Sequence, residues 1–198
     1  MIVSRTELFA TFVFFVVLRT GTPSQAQRFE AGGQVAVARS GEFDATDTAA
    51  GGRFAWHPLD LIGVEAEVNV YPGSFPSASG FSRNRVEGLF GLTAGPRVGR
   101  TRLFAKVRPG FLTFHARPTV CILIFPPPLS CQLGERTVFA LDLGGAIELL
   151  AGPRTFVRID AGDRMLNYPG PSFARGRVRG ESFFSHDFRM SAGAGVRF

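Results

Sequence analysis

Residues 187–198 (DFRMSAGAGVRF) decide the fold of this chain. The even-numbered positions carry Phe, Met, Ala, Ala, Val and Phe, whereas the odd-numbered positions carry Asp, Arg, Ser, Gly, Gly and Arg. Successive side chains of a β-strand point to opposite faces, so this stretch predicts a strand with one apolar and one polar face. The surroundings of each face then determine the architecture.

Seven earlier segments show the same alternation, and together they predict a barrel. These strands are predicted at 29–39, 51–57, 61–71, 86–98, 103–111, 139–149 and 157–161. Tight turns are expected at 57–60, 98–101 and 151–154, and longer loops at 40–48, 72–85, 115–136 and 169–185. Short turns at one end and long loops at the other are typical of transmembrane barrels. We therefore expect an all-β, eight-stranded antiparallel up-and-down transmembrane β-barrel.

The N-terminus indicates export. One positive charge within residues 1–5 precedes an apolar run at 8–18 and a small-x-small pattern at 24–26 (Ser-Gln-Ala). This layout is typical of a secretory signal peptide that is cut after Ala26. The apolar run is shorter than the roughly 20 residues that a spanning helix needs. We predict a signal peptide at 1–26 and one barrel domain at 27–198.

The polar face of the strands carries nearly balanced charges. Eight acidic and seven basic residues are candidates for a charge network in the lumen: Glu30, Glu65, Glu67, Glu87, Asp142, Glu148, Asp160, Asp187, Arg53, Arg97, Lys106, Arg108, Arg158, Arg189 and Arg197. Buried charges are tolerated when they are paired and hydrogen-bonded. The interior of an eight-stranded barrel is just wide enough for side chains. The sequence therefore predicts a plugged lumen with lipid outside the barrel.

Two other functions are compatible with the same strands. A soluble lipocalin-like carrier in the periplasm would turn the apolar face inward around a ligand. Lysine, which is usual on solvated faces, occurs once, at Lys106, and this disfavours the soluble barrel. A narrow porin-like channel for small solutes would keep the membrane orientation but conduct through the lumen.

Three segments carry a resemblance to a known family: 91–97 (GLTAGPR), 104–110 (FAKVRPG) and 193–198 (GAGVRF). With them, the mature chain resembles the outer-membrane β-barrel domain family of small OmpA-like and OmpX-like proteins. We expect the protein in the bacterial outer membrane, in contact with outer-membrane lipid and lipopolysaccharide, and as a monomer. The resemblance implies that Phe198, at the end of an aromatic C-terminal strand, is the signal read by the barrel-assembly machinery.

The chain departs from that family in its interfacial aromatic residues. Trp56, Tyr71 and Tyr168 are the amphipathic aromatic side chains available for the girdles that flank a membrane barrel's apolar band. We therefore expect phenylalanine to supply most of the aromatic side chains in these girdles.

Two loop features are candidates for surface contact, with a structural or adhesive role. Arg175, Arg177 and Arg179 alternate on an extended segment, where a row of guanidinium groups can bind phosphates of lipopolysaccharide. Cys121 and Cys131 flank an apolar stretch and are expected to form a disulfide in an oxidising compartment. The closed loop is a candidate docking surface for a protein partner, or a cover over the barrel mouth.

No catalytic site, cofactor or metal site is predicted. His186 and Asp187 lie near Ser182 and Ser185, but Phe188 stands where lipid A deacylases require serine. No cluster has metal-ligand spacing, and no glycine-rich phosphate loop follows a strand. The net charge of +6 comes largely from dispersed arginines, so a nucleic-acid partner is not expected.

Overall fold

The computed structural model describes residues 29–42, 44–73, 85–115, 135–168 and 182–198. Several predictions concern residues outside the described part: the signal peptide (1–26), Cys121, Cys131, Arg175, Arg177 and Arg179. No helix in the described part is long and apolar enough to span a membrane.

The described chain consists of β-strands joined by turns. Their bounds are β1 Phe29–Ser40, β2 Ala45–Trp56, β3 Ile62–Tyr71, β4 Arg85–Ala94, β5 Arg97–Val98, β6 Thr101–Phe114, β7 Arg136–Leu150, β8 Thr155–Tyr168 and β9 Phe183–Arg197. The two-residue β5 pairs with the start of β6 and belongs to the turn region. The other eight strands have 10 to 15 residues. A tilted strand needs roughly 9–11 residues to cross a bilayer, so each can do so.

The strands form one closed antiparallel sheet. Each pairs with its neighbour in the chain, and β4 pairs with β6 across the short β5. The sheet closes where β1 pairs with β9, from Glu30 opposite Arg197 to Ser40 opposite Asp187. Backbone hydrogen bonds join Phe29 and Phe198 in both directions, at 3.2 and 3.0 Å, next to this seam. The predicted eight-stranded barrel is confirmed.

The alternation predicted from the sequence divides the barrel into an outer wall and an interior. In β9, Phe188 and Met190 are exposed on the outside, whereas Asp187, Arg189 and Ser191 are buried inside. The same division runs through every long strand. The apolar face therefore lies outside, which contradicts the lipocalin-like alternative with its apolar interior.

One predicted loop is wrong. Residues 40–48 were expected to form a long loop, but β1 continues to Ser40 and β2 begins at Ala45. The turn between them includes Asp44, whose positive φ of 47° permits a tight reversal. The alternation continues here with small and polar residues on the outer face, such as Thr46 and Thr48, so the apolar signal disappears while the strand continues.

The aromatic residues are distributed differently from the expected girdle. Tyr71 is buried in the interior, and Tyr168 packs against the buried apolar residues of the interior. Outside, Phe29 stacks on Phe54, Trp56 and Phe198 with ring centroids 6.0 to 6.5 Å apart. Phenylalanine therefore supplies most of this aromatic group, beside the short-turn end of the barrel.

Candidate functional site in the barrel interior

The interior contains equal numbers of acidic and basic side chains among the described residues. Nine acidic side chains are buried: Glu30, Asp47, Glu65, Glu67, Glu87, Asp142, Glu148, Asp160 and Asp187. Nine basic side chains are buried with them: Arg53, Arg85, Arg102, Lys106, Arg108, Arg158, Arg164, Arg189 and Arg197. Such a set is tolerable only where each charge has a partner of the opposite sign.

Arg108 of β6 lies at the centre of the network. It is fully buried and forms ion pairs with Glu65, Glu67 and Asp142. The strand register places Asp142 directly opposite Arg108, and the Nε of Arg108 donates to an Asp142 oxygen at 2.9 Å. The two glutamates reach it from β3 across the lumen. One guanidinium thus ties three strands together inside the barrel.

A second group of ion pairs surrounds Asp160 of β8. Its carboxylate accepts hydrogen bonds from Arg158 at 2.7 and 3.0 Å and from Arg53 at 3.4 Å. Lys106 lies 3.4 Å from Asp160 and 3.1 Å from Asp142, so it joins this group to the central one. The single lysine of the chain is therefore an interior residue.

A third group lies nearer the long-loop end. Arg164 donates to Glu87 and Asp187, both at 2.7 Å, and to the Tyr71 hydroxyl at 2.8 Å. Arg189 forms ion pairs with Glu87 of this group, at 3.5 Å, and with Glu67 of the central group, and so links the two. An apolar layer adjoins these charges and includes Ala36, Ala38, Ala49, Leu89, Leu112, Phe114, Val138, Ala140 and Leu166.

The short-turn end is filled by a cluster around Glu30. Its Oε1 lies 2.8 Å from Arg197 Nε and 3.0 Å from Arg102 Nη1. Arg197 also pairs with Glu148 of β7. His57 follows β2 in the first short turn and stacks on Phe104 at 6.0 Å. Burial, and next the nearby Arg102, lowers the pKa of His57 to about 4, so its ring is neutral at pH 7.

The structure places all but one of the predicted lumen charges in the interior. The exception is Arg97, which is exposed on β5 and whose Nε donates to the Gly99 carbonyl at 3.3 Å. Strand β4 ends at Ala94 and is followed by Gly95 and Pro96, so Arg97 belongs to the turn. The prediction for Arg97 is therefore wrong.

Sequence reasoning missed four buried charges: Asp47, Arg85, Arg102 and Arg164. Parity, meaning an even or odd position along the strand, could have identified three of them, because residues of the same parity point to the same face. Arg102 has the parity of Lys106, Arg164 that of Asp160, and Arg85 that of Glu87. Arg85 pairs with Asp47 at the long-loop end, where the weak apolar signal hid the start of β2.

The candidate hydrolytic cluster does not assemble on one face. The buried Ser185 Oγ lies 3.4 Å from Asp187 inside the barrel. The exposed His186 ring points outward, with its Nδ1 2.6 Å from Asp163. Within the described residues, no group of three or more His, Cys, Asp or Glu side chains could hold a metal ion.

The outer wall is the opposite of a soluble protein surface. Its exposed residues include Val35, Val68, Phe90, Leu92, Leu103, Val107, Ile147, Ile159, Phe188 and Met190. An apolar surface of this extent is unstable in water and stable in hydrocarbon. A closed barrel satisfies every strand edge, which a bilayer requires. The fold and the wall together indicate an integral outer-membrane β-barrel.

Comparisons with known proteins agree with this class. The chain is similar in fold to Neisserial surface protein A, with 13% identity, 86% of this chain and 97% of that chain covered, and a TM-score of 0.55. It is also similar to Escherichia coli outer membrane protein W, with 14% identity, coverage of 88% and 100%, and a TM-score of 0.54. The N-terminal β-barrel domain of Pseudomonas aeruginosa OprF shares 11% identity, with coverage of 88% and 100% and a TM-score of 0.50.

At these identities the comparisons establish the fold, which is that of small eight-stranded outer-membrane barrels. No family model matches the chain, and no curated protein matches it.

Proposed function

We propose that the protein is a monomeric outer-membrane barrel whose role is structural and adhesive. In this role the barrel anchors and presents its extracellular loops, and the lumen does not conduct. The observation that carries the proposal is the filled interior. Nine acidic and nine basic side chains are buried there, and Arg108, Arg158 and Arg189 are among the largest of the fully buried side chains.

The proposed contact surface lies in the loops at the end opposite the short turns. The connections after β3, β6 and β8 are long, at 72–84, 115–135 and 169–182. The third contains Arg175, Arg177 and Arg179, for which we propose contact with lipopolysaccharide phosphates. The second contains Cys121 and Cys131, for which we propose a disulfide that closes an apolar docking loop for a surface protein.

The biogenesis we propose follows from the two ends of the chain. The signal peptide is removed after Ala26, and the strand ending at Phe198 is read by the barrel-assembly machinery. N-terminal sequencing of protein from the outer-membrane fraction tests the first step. A Phe198→Ala variant tests the second, since it should accumulate unassembled in the periplasm, whereas a Phe188→Ala variant should assemble.

Planar-bilayer recording tests the closed lumen. The purified, folded protein should show no discrete conductance steps. As a positive control, the double variant Arg158→Ser/Asp160→Ser removes an ion pair and much side-chain volume from the lumen, so it should begin to conduct. The retarded mobility of unboiled protein on a gel would confirm that this variant remains folded. Regular steps from the unmodified protein would support the narrow channel and contradict the proposal.

Binding to lipopolysaccharide vesicles tests the loop contact. We expect the triple variant Arg175→Gln/Arg177→Gln/Arg179→Gln to bind these vesicles at least tenfold more weakly. The matched control is Arg39→Gln/Arg117→Gln/Arg136→Gln, which removes the same charge from arginines that have no proposed contact. Unchanged binding by the loop variant, or equal losses in both variants, would exclude Arg175, Arg177 and Arg179 as the contact.

A further inference from the structure

Three exposed arginines lie on the short turns of the barrel. Arg97 and Arg100 belong to the turn between β4 and β6, and Arg154 belongs to the turn between β7 and β8. Short turns face the periplasm in an outer-membrane barrel, so these side chains lie at the periplasmic rim. We call Arg97, Arg100 and Arg154 the basic rim.

The backbone of the basic rim is held by neighbouring strands. The Arg100 carbonyl accepts a hydrogen bond from the Leu150 amide at 2.9 Å, and the Arg154 carbonyl accepts one from Arg197 at 2.7 Å. Since β6 pairs with β7, the two turns are adjacent on the circumference. The three arginines therefore form one arc on a rigid support.

The basic rim differs from the other charged regions in having no opposite charge. Among the described residues, none of its three arginines forms an ion pair. At the other end, exposed Arg39 pairs with Asp44 at 2.9 Å, and His115 lies 3.2 Å from Glu135. Asp60 is the single acidic residue of the described short turns. The rim therefore presents three unneutralised cations to solvent.

Apolar side chains adjoin the basic rim directly. Val98, between Arg97 and Arg100, is 70% exposed, the most exposed large apolar residue described. Exposed Leu103, Leu149 and Val157 begin the outer wall on the adjoining strands β6, β7 and β8. The short turns of a membrane barrel lie just beyond its apolar band, so the basic rim lies at the headgroup level of the bilayer.

We propose that the basic rim binds the headgroup of an anionic phospholipid in the periplasmic leaflet. A guanidinium matches the phosphate geometry bidentately, and an arc of three favours a lipid with net negative charge over a zwitterionic one. Near an anionic membrane surface, each basic residue strengthens binding by roughly fivefold. The inference needs the membrane orientation of the barrel and none of the proposed loop contacts.

Native mass spectrometry of the folded protein, released from detergent and titrated with individual lipids, tests the proposal. Phosphatidylglycerol should bind more tightly than phosphatidylcholine. The rim variant Arg97→Gln/Arg100→Gln/Arg154→Gln should bind phosphatidylglycerol roughly 10- to 100-fold more weakly, because the contributions of the three arginines add in part. Replacement of the same residues by Lys should restore part of it. The control variant Arg39→Gln/Arg117→Gln/Arg136→Gln has the same net charge, changes arginines outside the short turns, and should bind as the unmodified protein does.

Three results would overturn the proposal. Equal affinity of the unmodified protein for the two lipids would contradict the proposed preference for an anionic headgroup. Unchanged phosphatidylglycerol binding by the rim variant would exclude the basic rim as the lipid-binding site. An acidic periplasmic protein would then be the partner to examine. An equal loss in the rim variant and the control variant would show a dependence on net charge alone. Failure of the loop contact would instead appear in the lipopolysaccharide assay, so the two failures are distinguishable.

Discussion

The outer wall and the interior of this barrel use the same strands and obey opposite rules. Phe90 on the wall is 61% exposed, and Val107 of β6 is also exposed, whereas Arg108, the next residue of β6, is fully buried. In water this arrangement would be unstable, because the apolar surface would be solvated and the charges desolvated. In a bilayer the wall meets hydrocarbon, and the interior must satisfy its own charges. The stability of the interior therefore depends on pairing, and that of the wall on the absence of charge.

The largest expected effect comes from breaking the central pairing. An Arg108→Met variant leaves Glu65, Glu67 and Asp142 buried without their shared cation. Removing one partner of a buried ion pair costs about 3–5 kcal/mol. Equilibrium urea unfolding in detergent micelles, followed by gel mobility, should show this loss.

Two controls separate pairing from packing in that experiment. Arg100→Met removes an exposed rim arginine and should change the free energy of unfolding by less than about 0.5 kcal/mol. The double variant Arg108→Met/Asp142→Asn removes one of the stranded carboxylates, so it should recover part of the loss. A loss as small for Arg108→Met as for Arg100→Met would show that pairing in the interior is not needed.

A charge on the wall should have the next largest effect. Val107 lies near the middle of β6 and is 52% exposed, and its neighbours in the sheet are Leu92 and Leu143. Arginine at a mid-bilayer position of a barrel wall costs about 2–4 kcal/mol, and near the interface about 0–1 kcal/mol. Val107→Arg should therefore destabilise the folded barrel far more than Leu59→Arg in the first short turn. Similar costs at both positions in the same urea assay would show that the wall does not lie in hydrocarbon.

Overpacking the interior should cost less than either charge change. Gly91 points inward on β4, and a Cβ there would meet the Val107 carbonyl and lie 2.6 Å from the Arg108 Cα. Gly52 points outward, and its Cβ would approach no atom closer than 3.8 Å. Gly91→Ala should lower the free energy of unfolding by about 1–3 kcal/mol, whereas Gly52→Ala should leave it nearly unchanged. Equal effects would mean that the interior has spare volume.

The division between wall and interior could be predicted from the sequence because strand parity is local. The alternation in β3 assigned Glu65 and Glu67 to the same face before any pairing was known. The partners of these residues could not be predicted, because they depend on the shear of the closed sheet. Arg102 pairs with Glu30 across 72 positions of sequence. Parity also failed where the chain leaves the strand, as at Arg97 beyond Gly95 and Pro96.

The smallest expected effect concerns the short-turn end of the interior, where a neutral side chain lies among charges. His57, outside the strands, has its pKa lowered from 6.5 to about 4, chiefly by burial and next by Arg102. Below pH 6.5 the unfolded chain binds a proton there that the folded barrel does not bind until about pH 4. Acidification through this window therefore favours unfolding.

Between pH 7.5 and about 5.8, the free energy of unfolding should fall by roughly 1 kcal/mol through His57. A His57→Asn variant should lose this part of the pH dependence, whereas His186→Asn should retain it, since His186 is exposed on the wall. A pH dependence unchanged in His57→Asn would show that the short-turn end admits water and a proton to His57. The filled interior would then begin only beyond Glu30.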